Sequence, residues 1–425
     1  MSNGFPVAAL LAWLLAAAYY FYQYALRSAP SVMMPQLSEA FGVNALGVAS
    51  IVGMFYYGYS PFSLVAGAAI DRFGAKRIIP IGAALVGAGA LLFSTGSVAV
   101  ASSGRFLQGA GGVFALIGAI YIATKHFPAS YAASLIGATQ MFGMAGGSAG
   151  QFLVGPLIKG GLPWGRFWTY AGVLGLAISI SLLVLLPKEE RKEVKGTDGL
   201  ASVVGSLKIV FSNPQSILCG LIAGLLFIPT TIFDMTWGVR FLQEGRGREY
   251  DEAVRIAATV PFGWMIGCPL LGFISDRIGR RKPVILGGAL VLLAVLAWAL
   301  FGVRGFFRGP AVGIVMGIAS GAAMLPYTVI KEVNPPELAG SATGVVNFIN
   351  FTFSALLGPV FGRLLVDVSG GSAGLALEHY QAAFKPMLFG IVAAVILTCL
   401  LKETGPAARG LKGTSRASLK KAEIG

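Results

Sequence analysis

Two side chains in this sequence carry full charges where the surrounding residues are apolar. Arg27 follows the aromatic run Tyr19-Tyr20-Phe21-Tyr22-Gln23-Tyr24 and precedes Pro35 by eight residues, and Asp234 sits inside the apolar stretch that begins near Gln215. A charge at the centre of a bilayer costs roughly 2.5–3.5 kcal/mol on insertion scales, so each of these residues needs a reason. A guanidinium so placed offers a fixed positive charge to a carboxylate or phosphate, while the acid can compete for that guanidinium or take up a coupling proton. The two also admit a structural explanation, in which Arg27 ends its helix and snorkels outward and Asp234 forms a gate pair with Arg27 or Arg240. Tyr57, Gln140, Trp264, Tyr327, Asn347 and Asn350 are weaker candidates for contact with a polar solute. Buried amides and aromatic polar groups need partners, and helix-to-helix bonds would satisfy them equally well. Arg105, early in another apolar stretch, must find carbonyls or an acid. It either assists proton coupling or snorkels to the head groups.

Composition dictates the elements that hold these residues. The chain has 425 residues, 56% hydrophobic and 12% charged, with a mean hydropathy of +0.76, whereas soluble domains carry about a quarter of their residues as charges. Apolar stretches near 20 residues recur along the whole length, and in lipid the backbone must satisfy itself, so the expected fold is an all-α membrane protein. The pattern predicts six spans near Pro6–Arg27, Ala45–Ile70, Ile78–Val98, Ala99–Thr124, Tyr131–Ile158 and Phe167–Leu186. Six more follow near Gln215–Leu242, Ala253–Ser275, Pro283–Val303, Pro310–Ile330, Leu338–Val366 and Phe384–Leu401. The expected organisation is a six-helix bundle over residues 1–187, a charged linker at 188–213, a second six-helix bundle over 214–402 and a basic, disordered tail at 403–425.

The net charge of +14 comes from Lys and Arg placed between apolar stretches, which points to a membrane rather than to nucleic acid. Basic residues in the loops after even-numbered spans and in the tail outnumber those on the opposite face by more than two to one. That bias places both termini in the cytoplasm of a bacterial-style inner membrane. Cys219, Cys268 and Cys399 lie far apart in apolar segments, and His126 and His379 stand singly, so neither a disulfide framework nor a metal site is expected. No Gly-x-x-x-x-Gly-Lys-Ser/Thr run occurs, and Gly87-Ala-Gly89 lacks the rest of a dinucleotide fingerprint. Neither an ATP-driven pump nor an enzyme is indicated, and no cofactor is expected beyond an ion gradient, H+ first.

The halves repeat. Gly67-x-x-x-Asp71-Arg72-x-Gly74-x-Lys76-Arg77 closes span two, and Gly272-x-x-x-Asp276-Arg277-x-Gly279-Arg280-Arg281-Lys282 closes span eight. Tyr121-x-x-x-Lys125 is matched by Tyr327-x-x-x-Lys331, and Gly155-Pro156 by Gly358-Pro359, all at nearly one offset. Parallel repeats of this kind make a binding site at their interface. At these residues the chain resembles the major facilitator superfamily, whose signature loop reads roughly Gly-x-x-x-Asp-Arg-x-Gly-Arg-Arg/Lys, although Ala75 replaces the basic residue after the glycine in the first copy. The resemblance implies twelve helices in two bundles related by a pseudo-twofold axis. It also implies a cytoplasmic gate formed by Asp71, Arg72, Gly74, Asp276, Arg277 and Gly279.

Gly104-Arg105-Phe-Leu-Gln108-Gly109 looks like a second motif of that family. Gly146, Gly147, Gly150 and Gly155-Pro156 are similar to its exporter motif, but Gln151 stands where a glycine is expected, which argues against a drug/proton antiporter. Arg27 through Pro35 is similar to helix one of the family's organophosphate and organic-anion transporters, where such an arginine binds the anionic substrate. A second arginine of the organophosphate carriers is replaced near Thr231, against tight phosphate binding. The resemblance implies a proton-coupled symporter of an organic anion working by alternating access. Amino-acid or short-peptide transport is the alternative and drug efflux ranks third. The expected partners are a small-molecule substrate and the lipid bilayer, with no nucleic acid, and the expected state is a monomer.

Overall fold

The computed structural model describes residues 7–127, 129–187, 199–302, 309–370, 375–405 and 407. Every element in it is helical. The first half comprises α1 (Val7–Ser28) with a 3-10 turn Ala29–Val32, then α2 (Met34–Phe41), α3 (Ala45–Phe73), α4 (Ala75–Phe93), α5 (Val98–His126), α6 (Ala129–Phe152), α7 (Val154–Lys159) and α8 (Trp164–Leu185). A helix α9 (Gly199–Ser212) leads to the second half. There α10 (Pro214–Ile228) runs on through π-helical segments Pro229–Gly238 and Phe241–Gly245, followed by α11 (Tyr250–Ile278), α12 (Lys282–Phe301) and α13 (Gly309–Ser320). A 3-10 turn Gly321–Met324 then leads into α14 (Leu325–Glu332), α15 (Ala339–Ser369) and α16 (Leu377–Leu400).

Ten of the helical stretches are long and apolar enough to cross a membrane, and α2 with α3, bent by 100°, makes an eleventh. The remaining rod, α6 with α7, is rich in Gly, Ser and Ala, residues that lower its hydropathy and let it lie close to neighbours on two sides. It packs on α1 within its own half and on α11 of the other, while α3 packs on α5 and on α15. Two pairings, α6 with α11 and α3 with α15, therefore join the bundles. Close approach inside the first bundle rests on missing side chains. A Cβ on Gly109 would lie 1.9 Å from the Phe55 carbonyl oxygen, and one on Gly146 would lie 2.0 Å from that of Phe21.

The structure adds detail to four of these expectations. The last span begins at Leu377 rather than Phe384, because the polar first turn Leu377-Glu-His-Tyr380 is helical and its Tyr380 hydroxyl reaches inward to Glu244 Oε2 at 2.8 Å. The linker contains α9, which packs on α3, α10 and α15. The second half of span seven is π-helical, with Thr236 Oγ1 donating to the Thr231 carbonyl five residues back at 3.0 Å.

The fourth concerns the tail, whose first residues are held. Glu403 accepts from the backbone N–H groups of Arg281 (2.6 Å) and Lys282 (3.2 Å), so it caps the start of α12 with a carboxylate, where the helix dipole favours one. Thr404 Oγ1 donates to Glu332 Oε2 at 2.6 Å and the Ala407 N–H to the Gly279 carbonyl at 3.0 Å. Glu403→Ala removes a cap worth about 1 kcal/mol or more, and the purified protein is expected to melt a few degrees lower in a thermal-shift measurement. An unchanged melting temperature would mean that the segment does not hold the loop.

Candidate functional site

The site begins with a defect in α1. Pro30 has no N–H, so the Leu26 carbonyl, four residues back, has no partner along the helix. Arg105, on α5, supplies one: its Nη1 donates to Leu26 O at 3.1 Å and to Gln108 Oε1 at 2.7 Å, and its Nε donates to Val52 O at 3.3 Å. The rings of Phe55, Phe93 and Trp168 surround it at 5.2–5.9 Å. Arg105 is buried and does not snorkel, and it pairs with no acid among the described residues. Its donors go to carbonyl oxygens, which fixes the last turn of α1 and with it the next residue, Arg27.

Arg27 is 2% exposed and does not snorkel either. Its guanidinium lies over the rings of Tyr24 (4.1 Å), Phe55 (4.6 Å), Tyr59 (4.9 Å), Phe351 (5.2 Å) and Tyr56 (5.9 Å), so both bundles contribute to the cage. One bond, Nη2 to Gln23 Oε1 at 3.4 Å, takes a single donor, while Nε and Nη1 are buried without a partner. Aromatic faces attract the cation without accepting from Nε or Nη1, and the Tyr59 hydroxyl lies near the guanidinium.

The second bundle faces this cage with a directional polar chain. Asn350 Nδ2 donates to the Tyr327 hydroxyl at 3.0 Å, and that hydroxyl donates to Asn347 Oδ1 at 2.6 Å. The outer ends of the chain, the Asn347 Nδ2 donor and the Asn350 Oδ1 acceptor, are buried and unpartnered. Asn350 is followed by Phe351, whose ring covers Arg27. Gln140 lies at the bundle interface, accepting from Tyr20 at 2.9 Å and reaching Met324 Sδ at 3.6 Å. Trp264 stands behind the cage, its Nε1 on Thr230 Oγ1 at 2.8 Å and its ring against Phe227. Tyr57 does not belong to the site: it is 38% exposed on the outer face of α3, and Tyr56 and Tyr59 line the cage in its place.

Asp234 is 3% exposed and forms no ion pair among the described residues. Arg27 is caged elsewhere and Arg240 pairs with Glu244 at 2.7 Å, so neither expected partner holds it. The polar neighbour of Asp234 is Gln151, the residue that departs from the exporter motif, whose amide also donates to Ser31 Oγ at 3.3 Å. One oxygen of Asp234 and the carbonyl oxygen of Gln151 have no partner. A small cavity of about 30 Å³, room enough for a water molecule, touches Asp234 on its other side, among Phe241, Ala257 and Met316.

At the end of the bundles opposite the signature loops a cavity of about 450 Å³ is lined by Ser31, Leu46, Trp237, Arg240 and Tyr250 among others. Ser31 is one helical turn beyond Arg27. The Tyr250 hydroxyl bridges the bundles by donating to Val32 O at 2.7 Å, and Lys159 pairs with Asp251 at 2.5 Å on the surface. Toward the loop end Ser60 holds Thr352 Oγ1 at 2.7 Å and the Phe348 carbonyl at 2.9 Å. The bundles thus touch on both sides of the Arg27 cage.

The signature loops turn at Gly74 (φ 85°) and Gly279 (φ 69°), which require glycine. Asp71 lies in α3, but its side chain is outside the described residues. Arg72 and Arg277 are exposed. Asp276 is bonded instead by Arg281, which also holds Glu332 Oε1 at 3.0 Å and Ser275 Oγ at 3.0 Å. Burial works against the Arg281 charge, but Glu332 and Asp276 outweigh it and raise its pKa above the ordinary value. Among the described residues these partners belong to the second half, so this loop ties its own bundle to the chain end.

Among known proteins, the chain is 26% identical over 375 residues to a hexuronate transporter of Bacillus subtilis, covering 83% of this chain and 86% of that protein. It is 23% identical over 382 residues to a cis,cis-muconate transport protein of Acinetobacter baylyi, covering 83% and 84%. The crystal structure of the nucleoside transporter NupG (D323A mutant) shares the fold with a TM-score of 0.70 at 14% identity, over 92% of this chain and 99% of that one. The profile of the Major Facilitator Superfamily matches residues 16–359. With two bundles meeting around a caged arginine, repeated signature loops and this match over most of its length, the chain belongs to the Major Facilitator Superfamily of membrane transporters.

Proposed function

We propose that the protein carries an organic carboxylate across a bacterial-type inner membrane by alternating access, as a monomer, in symport with a proton. The observation that carries this reading is Arg27: a buried guanidinium at the bundle interface, with Nε and Nη1 unpartnered and no acid beside it among the described residues. Between Met1 and Pro187 the only acids are Glu39 and Asp71, and among the described residues the interior of the first bundle holds two guanidinium groups and no carboxylate. A substrate carboxylate accepts from Nε or from Nη1, each paired with the second hydrogen of Nη2, in the two-bond fork with which Arg binds a planar anion. The relatives named for transport of hexuronate and muconate handle carboxylates, which supports the same class here. The excess of Lys and Arg on the loop side supports cytoplasmic ends and loops.

Binding at Arg27 draws Tyr327, Asn347 and Asn350 toward the substrate and closes the bundles on it. Asp234 takes the coupling proton, since protonation removes the cost of an unpaired buried charge. The test is a ligand panel on purified protein by thermal shift, followed by uptake into proteoliposomes with an inward pH gradient. Carboxylates are expected to raise the melting temperature while the matching primary amides do not, and a protonophore is expected to stop accumulation. Stabilisation by amides and acids alike would remove Arg27 as the charge partner, and accumulation that persists with the protonophore would remove the proton.

A further inference from the structure

We infer that the site selects a singly charged, hydroxylated carboxylate and rejects a dicarboxylate of the same length; this rests on Arg27 being the partner of the first carboxylate. The argument is an inventory of buried charge. Arg105 is occupied by Leu26 O, Val52 O and Gln108 Oε1. Arg246 is occupied by the carbonyls of Ala299 and Gly302, and Arg240 by Glu244. Among the described residues, Arg27 is then the guanidinium with donors to spare at the bundle interface. Opposite it stand neutral groups.

The polar chain on the second bundle sharpens the choice. Its two free ends are one donor, Asn347 Nδ2, and one acceptor, Asn350 Oδ1. Because the Tyr327 hydroxyl accepts from one amide and donates to the other, the chain ends in one free donor and one free acceptor whichever way the two amides are turned. A hydroxyl satisfies both ends, accepting from the one and donating to the other. A carboxylate has acceptors only, so it would satisfy Nδ2 and confront the Asn350 oxygen with like partial charge. It would also bring in a charge for which the second guanidinium nearby, Arg105, has no donor to spare, and Asp234, when ionised, adds to the repulsion.

Two pairs of probes isolate that group. D-Gluconate and D-glucarate share an open six-carbon chain and differ in one end, CH2OH against carboxylate. 4-(Hydroxymethyl)benzoate and terephthalate make the same change on a flat ring. Titration calorimetry on the full chain in nanodiscs is expected to show the monoacid binding more than about 100-fold tighter than the diacid in whichever pair binds. The monomethyl ester of the diacid, with its second charge removed, is expected to recover at least about tenfold of that loss, and this arm needs no variant that must fold. A diacid that binds as tightly as its monoacid, or an ester that recovers nothing, overturns the selection by charge while carboxylate transport stands. Failure of all six compounds in a protein that other carboxylates stabilise overturns the hydroxyl and charge rule together. Failure of every carboxylate removes the reading of Arg27 on which both rest.

Discussion

Arg27→Ala is expected to abolish carboxylate binding and uptake while leaving a folded, inserted protein. Two facts set the size of the effect. The guanidinium presents two unpartnered donors in a buried site, and up to Pro187 the sequence supplies only Glu39 and Asp71 that could compete with a substrate for its charge. Removing one partner of a buried charge-assisted pair costs about 2–5 kcal/mol, roughly 30-fold to several-thousand-fold in affinity. Arg27→Lys keeps the charge and loses the planar fork, so binding is expected to be intermediate, weaker by about tenfold or more. Stability separates this from a structural role. Burial of the charge costs free energy and the five aromatic faces return part of it, so the empty protein is expected to melt close to the wild-type temperature in Arg27→Ala. Loss of binding in Arg27→Ala together with a large fall in the melting temperature of the empty protein would assign the residue to packing. Retained uptake in Arg27→Ala would end its assignment to the substrate.

Some of this was legible in the residues and some was not, for identifiable reasons. Charges inside apolar spans are rare, so Arg27, Arg105 and Asp234 announce themselves in the sequence, and the doubled signature loop announces two bundles. The facing of α3 does not. Tyr56 and Tyr57 are neighbours about 100° apart on a helix that is apolar on every side, and no polar stripe marks which face meets the interface; Tyr56 and Tyr59, three apart, share the inward face. The partner of Arg105 is likewise invisible locally. Pro30 shows that Leu26 O lacks a donor, but only the packing of α5 on α1 brings in a guanidinium from 79 residues away. Gln151 carried a signal, as the residue that breaks the exporter pattern, yet the reason for an amide there appears only when Asp234 and Ser31 come beside it. The hold of Arg281 rather than Arg277 on Asp276 is set by the turn at Gly279, which places Arg281, just before α12, facing back toward α11 and α14.

Asp234→Asn is expected to separate exchange from accumulation. The amide has nearly the shape of the protonated acid, so in the proposed cycle it freezes this position in its loaded form. Three features bear on Asp234. It lies at the interface, in the π-helical part of span seven, where the hydrogen-bond ladder is already altered. It has no cation beside it among the described residues, and its near neighbour is a neutral amide that also holds the end of α1 through Ser31. The bundle contact at Tyr250 and the cavity beyond Ser31 lie on the same side, so a change of charge at Asp234 acts close to the contacts that close the far end. Net transport driven by a proton gradient requires the group to release its proton on one side and regain it on the other, which Asn cannot do. Exchange of labelled for unlabelled substrate requires only that the loaded carrier change its facing, and is expected to continue within about threefold of wild type, a change worth less than 1 kcal/mol. Substrate binding is expected to lose its dependence on pH. If Asp234→Asn still concentrates substrate against its gradient when a pH gradient is imposed, the proton is carried elsewhere. If it loses exchange and accumulation together while still binding substrate, the carboxyl is part of the far-side gate rather than the coupling site. Gln151→Leu removes the polar neighbour without touching the acid, and should impair accumulation more than exchange if the two side chains act as one unit.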